Sequence, residues 1–150
     1  MSEFKGHFHD ITQEVTHNLA YMRSELPDVM KGFHDLGRAA THAGALDAKT
    51  KELIAVALGV AAHCDPCIGF HVKAYVRHGG TKRELAEALA MAVYMGGGPS
   101  LMYAANALAA MDEFVAAAAA GQFLHLSSAF GAAETASSVD GDDIGGTVTG

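Results

Sequence analysis

Ile11, Val15, Leu19 and Met22 recur at the three- and four-residue spacing of one helix face, and Val29, Phe33, Leu36 and Ala40 do the same after Pro27. This periodicity predicts two amphipathic helices in the first forty residues. From Leu53 to Ala62 every residue is apolar or glycine. Such a helix has no polar face and must be covered all round, in a core or against another subunit. Asp47 stands where its N-cap belongs, and Glu52 is the last charge before the apolar run. A further helix is predicted to open at Asp65-Pro66, a capping acid followed by the residue best suited to a first helical position, and to end near His78-Gly79-Gly80. Thr81-Lys82-Arg83-Glu84 then reads as a capping box, with Leu85, Leu89 and Ala92 sharing one face of the helix it starts. Gly96-Gly97-Gly98-Pro99 interrupts that helix; Leu101, Ala105, Leu108 and Val115 mark a last one running into the alanines before Gly121. No segment alternates as a strand does. The predicted fold class is all-α.

Composition changes the picture at the C-terminal end. Residues 1–121 read as one helical domain. From Gln122 the chain shifts to Ser, Gly, Ala, Thr and Asp without periodicity, and residues 122–150 read as a tail whose Phe123, Leu124, Leu126 and Phe130 could dock its first part on a neighbour. A 150-residue chain that is 50% hydrophobic carries more apolar faces than one small core hides, so a homo-oligomer is expected. All ten Lys and Arg lie at or before Arg83, together with nine acids, leaving eight acids and no basic residue from Glu84 onward. With a net charge of −7 the chain has no basic footprint for nucleic acid and no basic amphipathic face for an anionic membrane. Its opening residues lack a leader pattern and no run approaches the roughly 18 apolar residues of a membrane span. A cytoplasmic protein is expected.

The chemistry is concentrated in Glu52-x11-Cys64-x2-Cys67-x3-His71, which contains the only two cysteines. A dithiol that cycles to a disulfide needs two sulfurs a short turn apart, a base or cation beside one of them, and a proton acceptor behind that. If Asp65 caps the helix, Cys67 falls in its first turn, where free N–H groups and the helix dipole favour a thiolate, while Cys64 lies outside. His71 is one turn further along the same face, and Glu52 can hold or recharge it. Each piece alone has an ordinary structural explanation: Glu52 beside Lys49 and Lys51 could belong to a solvated helix start, and His63 could be a satisfied core histidine. Their joint spacing favours a redox site. Cys64, Cys67 and His71 with Glu52 or His63 also have atom types suited to zinc, but a structural zinc usually brings a second paired-ligand segment and none follows. No cofactor is expected, and the absence of a βαβ pattern argues against a thioredoxin-like setting.

With these residues in place the chain resembles the superfamily of alkyl hydroperoxidase D and carboxymuconolactone decarboxylase. The resemblance runs from about Pro27 to Glu113, through Ala45-Leu46-Asp47-Ala48-Lys49-Thr50-Lys51-Glu52-Leu53-Ile54, Cys64-Asp65-Pro66-Cys67-Ile68-Gly69-Phe70-His71 and Met95-Gly96-Gly97-Gly98-Pro99. It implies a helical bundle assembling into homo-oligomers, often trimers or hexamers. It further implies a peroxidase in which Cys67 attacks a small-molecule peroxide, Cys64 resolves the sulfenic acid, Glu52 and His71 relay protons, and a dithiol donor, a protein or a lipoyl-type group, restores the thiols. The family's peroxidases carry a histidine between the cysteines; here Pro66 occupies that place and His63 precedes Cys64. A thiol-disulfide oxidoreductase or redox sensor is the alternative. A decarboxylase-like lyase, with His71 and Glu52 as base and acid, is a further one, although that branch generally lacks the cysteine pair.

Overall fold

The computed structural model describes residues 6–122; apart from Gln122, the tail and its four large apolar residues lie outside them. Among the described residues there are six helices and no strand: α1 (His7–Asn18), α2 (Ala20–Glu25), α3 (Pro27–Thr41), α4 (Ala48–Ala61), α5 (Asp65–Arg77) and α6 (Lys82–Ala119). α4, α5 and α6 pack on one another, α1 lies across α5 and α6, and the α2–α3 pair meets the rest only through α1 and α4. The expected all-α class is what the structure has.

The core fills the space between α4, α5 and α6. Val56 and Val60 of α4, Ile68, Val72 and Tyr75 of α5, and Leu85, Leu89 and Phe114 of α6 are buried, with Phe8 of α1 added from the side. Each such side chain removed from water is worth about 1.5–3 kcal/mol. α1 crosses α5 at Gly69, where a Cβ would stand 2.8 Å from the Thr12 methyl, so a larger residue there would force Thr12 or α1 to shift. No side chain within α1 caps its N-terminus. Glu113 of α6 does so instead, accepting the N–H groups of Phe8 (3.1 Å) and His9 (2.6 Å) on its two carboxylate oxygens.

Three expectations change in detail. The first predicted helix is bent at Leu19 into α1 and α2, and the chain then leaves helical geometry at Leu26 (φ −129°, ψ 57°), as the residue before a proline tends to. The stripe predicted for α3 exists but buries nothing within the protomer: Val29, Phe33 and Leu36 are 58%, 74% and 65% exposed. The Gly96–Pro99 interruption is a kink rather than a break, with Gly97 at φ 71° and helix on both sides. Beyond it the inward face is Ala104, Ala107, Ala110, Met111, Phe114 and Ala117, whereas Leu101 and Val115 point out. The alanines let this half of α6 lie close to α4 and α5 around the inward Met111 and Phe114, while Leu101, Met102 and Val115 stay outside.

The capping box forms as predicted and anchors a polar corner between α4, α5 and α6. Thr81 Oγ1 accepts the Glu84 N–H, and Glu84 Oε2 accepts the Thr81 N–H at 3.0 Å. Glu84 also receives the Lys49 ammonium at 2.7 Å and lies 2.9 Å from the hydroxyl of buried Tyr75. The Lys49 hydrogen bond, followed by the Thr81 N–H and the Tyr75 hydroxyl, holds the Glu84 carboxyl down at about 2 from an ordinary 4.5. Burial pushes the Tyr75 phenol up to about 12. A carboxyl whose pKa is lowered by folding contributes stability that is complete above its unfolded pKa and disappears as pH falls through the folded one. Thermal melts followed by circular dichroism should therefore show Glu84→Gln below wild type at neutral pH, the gap closing between about pH 4.5 and 2. A gap independent of pH would mean that the Glu84 charge does not stabilise the corner.

Candidate active site

The cysteines sit where α4 ends and α5 begins. α4 closes through His63, which takes a left-handed conformation (φ 54°) while donating its N–H to Val60 O; Cys64 N–H then reaches back to Gly59 O at 3.0 Å. This is the 6→1 bond of a Schellman-type stop, in which the residue after the cap is ordinarily glycine. The His63 ring stacks on Tyr103 of α6, with centroids 4.7 Å apart and planes within 12°. Cys64 thus receives its position from the end of one helix and starts the next. Its Sγ accepts the Cys67 N–H at 3.3 Å, which makes Cys64, and not Asp65, the N-cap of α5.

This corrects the predicted cap. Asp65 is the first helical residue and Pro66 the second; the Asp65 carboxylate instead accepts from Asn106 Nδ2 of α6 at 3.0 Å. Cys67 lies in the first turn of α5, as expected, and is joined to Cys64 by a disulfide with Cα atoms 5.2 Å apart. Both sulfurs therefore share the helix N-terminus. The first-turn N–H of Cys67 is given to Cys64 Sγ, so the helix terminus favours Cys64 if either, and a preference for Cys67 has to come from His71.

Glu52 and His71 are brought together. Glu52 Oε2 lies 2.7 Å from His71 Nδ1, with Glu52 only 7% exposed. The neighbouring cations do not serve the carboxylate: Lys49 is on Glu84, and Lys51 donates to His42 O at 2.6 Å. Glu52 is accordingly a buried group with an imidazole partner, not part of a solvated helix start. A carboxylate only accepts, so Nδ1–H donates to it and leaves Nε2 as the atom able to take a proton. His71 follows Cys67 by one helical turn on the same face of α5. Among the described residues no three His, Cys, Asp or Glu side chains gather around a metal position.

Glu52 and His71 also line a groove of about 870 Å³ between the α2–α3 pair and α5, with apolar walls that include Met30, Phe33 and Phe70. Sequence reasoning missed this groove, because its two walls are distant in the chain. It also missed Tyr103 and Asn106. Asn106 did leave a signal, as the lone polar side chain in the apolar stretch from Ala104 to Met111.

A model of the carboxymuconolactone decarboxylase family matches residues 27–110. The chain belongs to that family. It is similar to a crystal structure of a family member from Legionella pneumophila, at 59% identity and a TM-score of 0.70, covering 71% of this chain and 96% of that one. A family member from Thermotoga maritima, for which a part in the antioxidative response has been suggested, superposes with a TM-score of 0.63 at 28% identity, over 78% of this chain and 97% of that one. An uncharacterized protein of Cupriavidus necator is 44% identical over 99 residues, 66% of this chain and 88% of the relative. No described helix is long and apolar enough to cross a membrane.

The geometry makes a specific demand on the reduced protein. If His71 Nε2 accepts the Cys67 thiol proton, Cys67 should react first with limiting iodoacetamide at neutral pH, followed by mass spectrometry of the labelled peptides. His71→Ala should then slow Cys67 by about ten-fold, corresponding to about one pKa unit, and leave Cys64 as the faster site. Glu52→Gln should act in the same direction but more weakly. First labelling of Cys64 in the wild type would reverse the roles of the two sulfurs.

Proposed function

We propose that the protein is a thiol-dependent peroxidase that reduces hydrogen peroxide or organic hydroperoxides through a Cys64–Cys67 disulfide cycle. The observation that carries this reading is the 2.7 Å Glu52–His71 pair one helical turn beyond a cysteine pair that closes a disulfide. In the reduced protein His71 Nε2 takes the Cys67 proton. The thiolate attacks one peroxide oxygen, the O–O bond breaks, and the departing alkoxide or hydroxide takes the proton back from His71. Cys67 is then a sulfenic acid; Cys64 attacks its sulfur, releasing water and forming the disulfide. Glu52 holds the imidazole in the tautomer that keeps Nε2 unprotonated at the start and stabilises the imidazolium formed during transfer. A dithiol donor, protein or lipoyl-type, reduces the disulfide by exchange. The apolar side chains exposed on α3, α4 and α6 support assembly of the protomer into a homo-oligomer, the arrangement the family resemblance implies.

Pro66 favours the second reading, a thiol-disulfide oxidoreductase or redox sensor, because it stands beside Cys67 where the family's peroxidases carry a histidine. One experiment separates the two. Reduced protein mixed with stoichiometric peroxide should lose two thiols per chain and gain an intramolecular disulfide, with turnover in the presence of dithiothreitol that Cys67→Ser abolishes. Fast exchange with a protein disulfide combined with sluggish oxidation by peroxide would favour the oxidoreductase. No thiol loss to either oxidant would end both readings.

A further inference from the structure

The groove beside Glu52 and His71 has a composition that peroxide chemistry alone does not require. Its volume of about 870 Å³ falls within the range of small-molecule sites and far exceeds what hydrogen peroxide needs. Leu19, Met30, Phe33 and Phe70 give it apolar walls. Phe33 is 74% exposed and α3 buries no residue, so this wall meets solvent rather than the body of the protein. The charges lining the groove are Arg23, Lys31 and Arg38 against the single carboxylate of Glu52, which is already engaged by His71. Up to Arg83 the chain carries ten Lys and Arg against nine acids, so three cations against one carboxylate along the groove is a local excess.

Some of that charge is locally answered. Asp35 receives the Lys31 ammonium and, at 3.5 Å, one Arg38 nitrogen; Arg23 gives one nitrogen to Thr16 O at 2.5 Å. A guanidinium has five N–H donors in a planar fork, so Arg23 and Arg38 keep donors beyond these contacts. An aliphatic chain against the walls with a carboxylate on the guanidinium forks satisfies both features at once. A neutral apolar ligand would leave the cations without a role, and a small hydrophilic anion would leave the walls wet.

We propose that this groove binds amphipathic carboxylates, an aliphatic chain carrying an anionic head. Resting on the peroxidase reading, its substrate is a hydroperoxide of that class, with the O–O group at the His71 end. The reaction balances as one hydroperoxide and two cysteine thiols giving one alcohol, one water and the Cys64–Cys67 disulfide; the dithiol donor returns the two electrons.

Binding can be measured without chemistry, because dodecanoate has no O–O bond. By calorimetry below its micellar concentration, dodecanoate should bind at least about ten-fold more tightly than dodecanol, as expected of a charge-assisted contact. Arg38→Glu should erase that preference and Arg38→Lys should retain part of it; Arg38 is 73% exposed, so the substitution does not disturb the core. Equal affinity for acid and alcohol, or no binding of either, would overturn the proposal. So would a groove closed by a second copy of the chain, recognised by absent dodecanoate binding and a mass by light scattering that changes with Arg38→Glu. In turnover, a fatty-acid hydroperoxide should exceed its methyl ester by about ten-fold in kcat/KM. Equal rates would overturn the substrate class. Failure to turn over any hydroperoxide while dodecanoate still binds would instead remove the peroxidase reading and leave the binding site standing.

Discussion

A carboxylate taken out of water on an otherwise apolar helix is tolerable only with a partner, and the arrangement of the site depends on Glu52 having one. Removing one member of a fully buried ion pair costs about 3–5 kcal/mol; the figure is smaller here because the His71 side chain is 37% open to solvent. Glu52 comes from α4 and His71 from α5, so their 2.7 Å contact requires the same mutual rotation of the two helices as the burial of Val56, Val60, Ile68 and Val72 between them. That rotation in turn sets the direction of Cys67, one turn back along α5. The same contact orients the imidazole, leaving Nε2 as its free nitrogen. Structure and chemistry therefore draw on a single interaction, and a change at Glu52 disturbs both.

The turn between these helices is similarly economical. Cys64 donates its N–H to the end of α4 and accepts a backbone N–H of α5 on its sulfur, so one half of the disulfide also terminates one helix and caps the next. His63 makes this possible by adopting a conformation usually left to glycine, at a cost of about 1–3 kcal/mol that its stacking on Tyr103 helps to offset. Asp65, released from capping, ties the start of α5 to Asn106 of α6. The Cys64–Cys67 turn is held from three directions by groups outside the disulfide.

Most of the helical architecture was legible because its signals are local. Asp47 caps α4, Thr81 and Glu84 form their capping box, and α5 ends at Arg77 beside the predicted glycines, since these depend on residues three or four apart. The Glu52-Cys64-Cys67-His71 set was visible through spacing, and the Glu52–His71 pairing it suggested is present. Long-range geometry was not legible. Nothing near Glu113 announces that it caps α1, and nothing in the periodicity of Leu101, Ala105, Leu108 and Val115 reveals that the adjacent alanine face turns inward. Capping by Asp65 was the stronger local expectation and lost to Cys64, because the stop at the end of α4 had already placed that sulfur against the first turn of α5.

The outward apolar faces follow from the same packing. The interior between α4, α5 and α6 is already filled by Tyr75, Phe114, Ile68, Leu85 and Leu89, with alanines along α6 and valines along α4 bringing the helices close. Phe33, Ile54, Leu58, Met91, Tyr94 and Met95 therefore remain outside, on several helices rather than as scattered single residues. Apolar surface of this extent on a small chain is characteristic of faces that meet a partner or a ligand. On α3 the two uses converge, because Phe33 belongs both to the exposed stripe and to the groove that holds Glu52 and His71. A partner or ligand resting on that stripe would therefore also control the access of water to the imidazole, so the surroundings of Glu52 and His71 depend on a surface outside the helices that carry them.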